Sequence, residues 1–238
     1  MIHLKSVRLK SEDFPTNQKY PYTLDVVQNT GKITFDKTVT IFAGENGTGK
    51  STILEAATIA CGIHIWRAAE KSRYTYNPYE KSLARYLELE WADEKVEGSY
   101  FGSDIFHNFV ESLDNWASMD PGQLDYFGGK SLMEQSHGQS LMSFFASRYK
   151  LKGLYMLDEP ETALSPATQL ELLKIITEAS KSGLAQFIIA THSPILLACP
   201  NADIYNFDAL PLEKIEYEEC GHYKLYRDFM RDRENFLK

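Results

Sequence analysis

Gly44-Glu45-Asn46-Gly47-Thr48-Gly49-Lys50-Ser51 decides how this chain folds. The octapeptide fits G-x-x-x-x-G-K-[ST], the pattern of a phosphate-binding loop. The apolar run Val39-Thr40-Ile41-Phe42-Ala43 precedes it and reads as a strand. Residues 52–60, opening on Thr52, follow as a largely apolar helix. Strand, glycine loop and helix form the context that the motif requires. Glycines let the backbone curl until successive N–H groups converge on an anion. The start of the following helix adds its partial positive charge. Lys50 is then placed to reach the β- and γ-phosphates, and Ser51 to ligate Mg²⁺.

Around this loop the chain has 238 residues, 43% of them hydrophobic, enough for one sizeable core. The expectation is a single domain, 1–238, with an insertion at about 64–135. The net charge of −8 argues against non-specific coating of nucleic acid. Cys61, Cys199 and Cys220 are odd in number and far apart, which speaks against a disulfide framework or a zinc site. The first residues lack the apolar core of a signal peptide. No apolar run approaches the about 20 residues of a membrane span. The expectation is a soluble, cytoplasmic protein with no membrane insertion.

Residues 2–10 alternate loosely and read as a strand. Residues 24–27 and 32–35 are short strand candidates around the turn Asn29-Thr30-Gly31. Residues 86–91 and 96–101 flank Ala92-Asp93-Glu94-Lys95 and suggest a hairpin. Helices are expected at 105–113 and 140–149. A third, at 166–181, opens on Ser165-Pro166, carries Leu170, Leu173, Ile176 and Ala179 on one stripe, and ends at Gly183. Residues 153–157 and 186–190 are apolar strands. Ser193-Pro194 opens a short helix, 203–207 and 215–217 close the sheet, and a charged helix begins at His222. Apolar strands alternating with helices imply an α/β fold with a mainly parallel, covered sheet. The first strands add an N-terminal antiparallel portion.

Two further stretches carry chemistry. Leu154-Tyr155-Met156-Leu157-Asp158-Glu159 is an apolar strand ending in two carboxylates. Ligands of open α/β sheets sit at the carboxyl ends of strands. Asp158 is placed to hold Mg²⁺, and Glu159 to orient or deprotonate a water attacking the γ-phosphate. Phe187-Ile188-Ile189-Ala190-Thr191-His192 repeats the design, putting an imidazole at the same edge, within reach of the γ-phosphate or Glu159.

With these residues in hand, nearly the whole chain resembles the ABC class of P-loop ATPases. Residues 44–51 resemble Walker A and 156–159 resemble Walker B with its glutamate. Ala163-Leu164-Ser165 is similar to the D-loop, and His192 to the switch histidine. Gln135-Ser136-His137-Gly138-Gln139-Ser140 is similar to the signature Leu-Ser-Gly-Gly-Gln, departing from it at Gln135 and His137. Gly44-Glu45-Asn46-Gly47 and Ala190-Thr191-His192-Ser193-Pro194 look like RecF/SMC-type soluble members. The run Gly129-Lys130-Ser131-Leu132-Met133-Glu134, continuing into the signature, resembles compact bacterial stand-alone ATPases.

The resemblance implies ATP and Mg²⁺ as ligands. It places nucleotide contacts on Gly44, Glu45, Asn46, Gly47, Thr48, Gly49, Lys50, Ser51, Thr52, Ser136, Gly138 and Gln139. It puts metal contacts on Ser51 and Asp158, and catalysis on Lys50, Glu159 and His192. For the family's Q-loop glutamine, Asp104 is a positional stand-in. For an adenine-stacking aromatic, Phe35 and Tyr22 are candidates. The family mechanism implies that the signature of one subunit completes the site of another, giving an ATP-bound head-to-tail homodimer. The leading expectation is a soluble ATPase whose cycle drives a nucleic-acid or nuclease partner in DNA repair or defence. A slowly turning nucleotide-gated switch and a transporter ATPase subunit are the alternatives.

Overall fold

The computed structural model describes residues 1–66, 77–120, 122 and 137–237. Its centre is a run of strands that are apolar on both faces. β3 (Val39–Ala43), β6 (Gly153–Asp158) and β7 (Ala185–Ala190) are buried along almost their whole length. Side chains of a strand alternate between faces, so each strand feeds two cores. Ile41, Leu157 and Ile189 enter one core; Phe42, Met156 and Ile188 enter the other. Fully burying such a side chain contributes about 1.5–3 kcal/mol. That is why this sequence favours a sheet covered on both sides.

The main sheet has the order β5-β6-β7-β3-β8-β9, with β5 (Gly98–Gly102), β8 (Asp203–Asn206) and β9 (Glu213–Ile215) completing it. All neighbours run parallel except β8 and β9. A second sheet, antiparallel, has the order β2-β1-β4, from β1 (Leu4–Leu9), β2 (Lys32–Thr34) and β4 (Leu87–Trp91). It packs with α2 (Lys50–Ala60) in the second core. The two sheets are joined by fully buried Gln186. Its Oε1 accepts from the N–H of His3 and of Leu4, each at 2.8 Å, and its Nε2 donates to Leu4 O at 2.9 Å. The mainly parallel sheet with an antiparallel N-terminal portion is the architecture read from the sequence.

The first core is roofed by α3 (Ser103–Met119), α4 (His137–Arg148), α5 (Pro166–Lys181) and α6 (Pro194–Leu197). Ser165 caps α5, its Oγ accepting from Thr168 N at 3.3 Å, and Gly183 at φ +75° closes it. Ser193 caps α6, accepting from Ile195 N and Leu196 N. Both serines do what the sequence suggests.

Four expectations are corrected. Residues 24–27 are not a strand: α1 (Asp25–Asn29) is one helical turn. Adjacent Val26 and Val27 are both buried, and Asn29 Nδ2 bonds Asp25 O at 2.8 Å. Four residues are too few to tell a two-residue from a 3.6-residue period. Residues 86–91 and 96–101 do not form a hairpin. β4 pairs with β1 and β5 pairs with β6, so the intervening residues cross between the sheets. On α5 the buried stripe runs through Leu172 and Ile176, with Leu173 and Ala179 beside it, whereas Leu170 is 50% exposed. Tyr22 and Phe35 are core residues, 0% and 2% exposed, and present no face for stacking.

Candidate nucleotide-binding site

β7 lies between β3 and β6, so the ends of these three strands converge. Register fixes this: Ala190 is level with Phe42 on one side and with Asp158 on the other. Gly44 leaves β3, Asp158 ends β6 with Glu159 just after it, and His192 follows β7 by two residues. The three sequence stretches therefore meet at one carboxyl edge, where open α/β sheets place ligands.

The loop has the backbone its glycines permit. Gly44, Gly47 and Gly49 adopt φ of +151°, +82° and +94°. Glu45, Asn46 and Gly47 are exposed, while Thr48 Oγ1 ties the loop by donating to Glu45 O at 2.9 Å. Lys50 is the first residue of α2 and is 4% exposed. Its Nζ donates to Gly44 O and to Glu45 O, each at 2.8 Å, so the ammonium sits within the curl of the loop. Burial pulls it below the usual lysine value, opposed by the carboxylates of Glu159, Asp208, Asp158 and Glu45. Ser51 Oγ donates to Asp158 Oδ1 at 2.8 Å, bridging the loop and the β6 carboxylate. Thr52 is half-buried, with its Oγ1 3.0 Å from the Tyr20 hydroxyl.

Glu159 is a non-glycine residue at φ +45°, ψ +54°. That left-handed backbone is an uncommon conformation for such a residue, and functional sites are where it clusters. Its N–H donates to Ala190 O at 2.9 Å, and its side chain is 41% exposed. His192 Nε2 lies 3.5 Å from Glu159 Oε1, an ion-pair distance just beyond a hydrogen bond. Burial, then the Lys50 charge, lower the imidazole below its usual value, against the raising effect of Glu159.

Of the signature residues, Gln135 and Ser136 lie outside the described residues. Gly138 and Gln139 fall in the first turn of α4, where open space surrounds Gly138. Asp104 is in the first turn of α3, and its side chain lies outside the described residues.

Five residues at this edge escaped the sequence reading. Tyr100 on β5 donates its hydroxyl to Asp158 Oδ2 at 3.0 Å. Asp208, after β8, accepts from Glu45 N at 2.7 Å and props the loop. Half-buried Glu161 accepts from His192 N at 2.7 Å and Ser193 N at 3.2 Å. Gln169 accepts from Ser193 Oγ at 2.6 Å. His222, in α7 (Gly221–Arg231), places Nε2 3.1 Å from His192 Nδ1. The acidic run Asp158-Glu159-Pro160-Glu161 carried a visible signal for Glu161; the other four had none locally.

Two family models match parts of this chain. Residues 24–90 match a family model described as "AAA domain". Residues 135–198 match one described as "AAA domain, putative AbiEii toxin, Type IV TA system". The first stretch holds the phosphate loop, the second Asp158, Glu159 and His192. No curated protein gives a significant sequence match. One similar solved structure is described as "An inward-facing conformation of a putative metal-chelate type ABC transporter". It is 19% identical, covers 92% of this chain and 85% of its own, and has a TM-score of 0.51. The SMC head domain from Thermotoga maritima is 16% identical over 90% of this chain and 100% of its own, with a TM-score of 0.47. A dimeric bacterial ABC transporter cassette is 13% identical over 90% and 98%, with a TM-score of 0.46. Among the described residues no helix is long and apolar enough to cross a membrane. With AAA-domain matches on both halves of the site and one mainly parallel sheet joining them, this chain has the fold of the ABC-class P-loop ATPases.

Proposed function

We propose that the chain binds and hydrolyses ATP, and that ATP closes two copies into a head-to-tail dimer whose opening follows hydrolysis. The observation that carries this is the meeting of Lys50, Ser51, Asp158, Glu159 and His192 at one sheet edge. The Lys50 ammonium is held by two loop carbonyls. A triphosphate offers it stronger, charge-assisted partners. Loop N–H groups and the start of α2 bind the remaining phosphate oxygens.

Ser51 and Asp158 fit Mg²⁺. One hydroxyl and one carboxylate, 2.8 Å apart, make a partial oxygen set. Mg²⁺ is usually held by one or two protein oxygens together with waters and substrate phosphates. Bound there, it would neutralise charge on the β- and γ-phosphates. Tyr100 keeps Asp158 oriented from the other side. Glu159 then accepts a proton from the water that attacks the γ-phosphorus, and ADP leaves with the electron pair of the broken P–O bond. His192 supports the γ-phosphate beside Glu159.

The dimer reading rests on the signature-like residues 135–140 preceding Asp158 in the chain. Each γ-phosphate would gain N–H and hydroxyl partners from the second copy, and lose them on hydrolysis. The motif order also supports a soluble effector acting with a nucleic-acid or nuclease partner in repair or defence. Light scattering on Glu159→Gln protein with ATP and Mg²⁺ tests the dimer. A doubling of mass that is absent with ADP is expected; a monomer at micromolar concentrations overturns it.

A further inference from the structure

His192 is held by three groups, two from the turn after β6 and one from α7. Glu161 holds its backbone N–H, Glu159 faces Nε2, and His222 meets Nδ1 at 3.1 Å. The rings of His192 and His222 approach edge to face, with centroids 5.1 Å apart and an interplanar angle of 67°.

His222 is placed with care. Glu216 and Glu219 form a reciprocal capping box in the turn before α7. The Tyr217 hydroxyl donates to Pro194 O at 3.0 Å, pinning that turn to α6. Cys220, 1% exposed, anchors the chain in the first core two residues before His222. The His222 side chain is 11% exposed, and its Nε2 is 4.0 Å from Glu45 Oε1 in the phosphate loop. The charged groups facing the two rings are thus Glu45, Lys50 and Glu159.

Two neutral imidazoles meeting at one nitrogen each share a single hydrogen. If His192 donated from Nδ1, its Nε2 would turn a bare lone pair on the Glu159 carboxylate. If His222 donates from Nε2, His192 carries its hydrogen on Nε2, facing Glu159. The second arrangement avoids repulsion between lone pairs in a site where polar contacts count most. Burial and the Lys50 charge also disfavour an imidazolium at His192, leaving the tautomer as the variable.

We infer that His222 is a positioning residue for nucleotide hydrolysis: it donates Nε2–H to Nδ1 of His192 and so fixes His192 as the Nε2–H tautomer. The ring then presents a donor, rather than a second acceptor, beside Glu159 and the phosphate loop. A γ-phosphate, all acceptor, needs that donor. His222 acts through His192, with Glu45 Oε1 of the phosphate loop 4.0 Å from its own Nε2. It links the start of α7 to the site.

The kinetic part of the test rests on the ATPase reading above; the spectroscopic part does not. Long-range ¹H–¹⁵N spectra of the nucleotide-free chain, with His192 assigned by loss of its signals in His192→Ala, report the tautomer directly. The expected result is Nε2–H at His192 in the parent chain and in His222→Gln, whose amide N–H can donate. His222→Phe keeps a ring but has no donor, and a mixture of tautomers is expected. Steady-state phosphate release should show kcat lowered about tenfold in His222→Phe, with KM for ATP within about twofold, and most of the turnover recovered in His222→Gln. That scale is taken from outer partners of functional imidazoles at metal sites. An Nδ1–H tautomer in the parent chain overturns the inference, as does a tautomer and a kcat unchanged in His222→Phe. Absence of ATP turnover in the parent chain defeats the proposed function while the tautomer still decides the role of His222.

Discussion

Eight consecutive residues make the phosphate loop, whereas the corner beside it draws Glu161, Gln169, His192 and His222 from separate elements. The loop is held largely by bonds to its own backbone: Lys50 bonds Gly44 O and Glu45 O, and Thr48 bonds Glu45 O, with Asp208 and Asp158 bonding it from outside the motif. The corner is held by side chains reaching across the fold. A structure built from neighbouring residues can be spelled in a motif. One built from distant residues depends on the packing of everything between them. The two regions should therefore respond differently to substitution.

The largest effect is expected at Lys50. Lys50→Ala removes the loop's ammonium while its partners, two backbone carbonyls, remain free to bond water. Turnover should fall about a thousandfold, the scale of removing one pre-organised donor, with folding intact. Phosphate release and a urea titration measure the two readouts. Turnover within tenfold of the parent would show that the loop does not carry the chemistry.

The contrast also explains what the sequence disclosed. β3, β6 and β7 were legible because each is an apolar run bounded by a chemical punctuation: glycines, two carboxylates, a histidine. The caps Ser165 and Ser193 were legible because capping is decided within four residues. α1 was not, because the burial of Val26 and Val27 is set by what packs over them. The separation of β4 from β5 was not, because it depends on which partner strands lie nearest. Leu170 was misplaced because steps of three residues drift by about 60° around a helix of 3.6 residues per turn, so a stripe that is right at Leu173, Ile176 and Ala179 has left the buried face at Leu170. His222 had no local signal: its role arises from where the turn after β9 sets down α7.

Within the loop, two glycines sharpen the comparison. Gly49 and Gly47 have similar φ, +94° and +82°. A Cβ on Gly49 would lie 2.6 Å from Val26 Cγ1, whereas one on Gly47 meets nothing within 4 Å. Gly47→Ala should cost only the left-handed backbone, about 1–2 kcal/mol. Gly49→Ala adds overpacking against α1 and should cost about 3 kcal/mol. Denaturant midpoints at equal m separate the two. Equal losses would mean that α1 yields to the loop, and that even the motif is less self-contained than its spacing suggests.

The smallest effect, and the one that tests the corner, is expected at Glu161. Burial pushes its carboxyl above the usual 4.5, against hydrogen bonds from Thr191 and from His192 N that pull it down. The sign follows from proton linkage. A folded-state value above the unfolded one means the native chain binds the proton more tightly. The stabilisation this supplies is fully present below about pH 4.5 and is lost as pH rises through the folded value. At neutral pH the buried charge is thus a net cost, offset by the two backbone N–H groups it receives. Glu161→Gln keeps an oxygen in place for both N–H groups and removes the charge. It should be at least as stable as the parent chain at pH 7, with the advantage shrinking as pH falls toward 4.5. Urea midpoints at pH 7 and pH 5 read this directly. A variant clearly weaker at pH 7 would mean that the corner needs the negative charge itself to hold His192, as the phosphate loop needs the positive charge of Lys50.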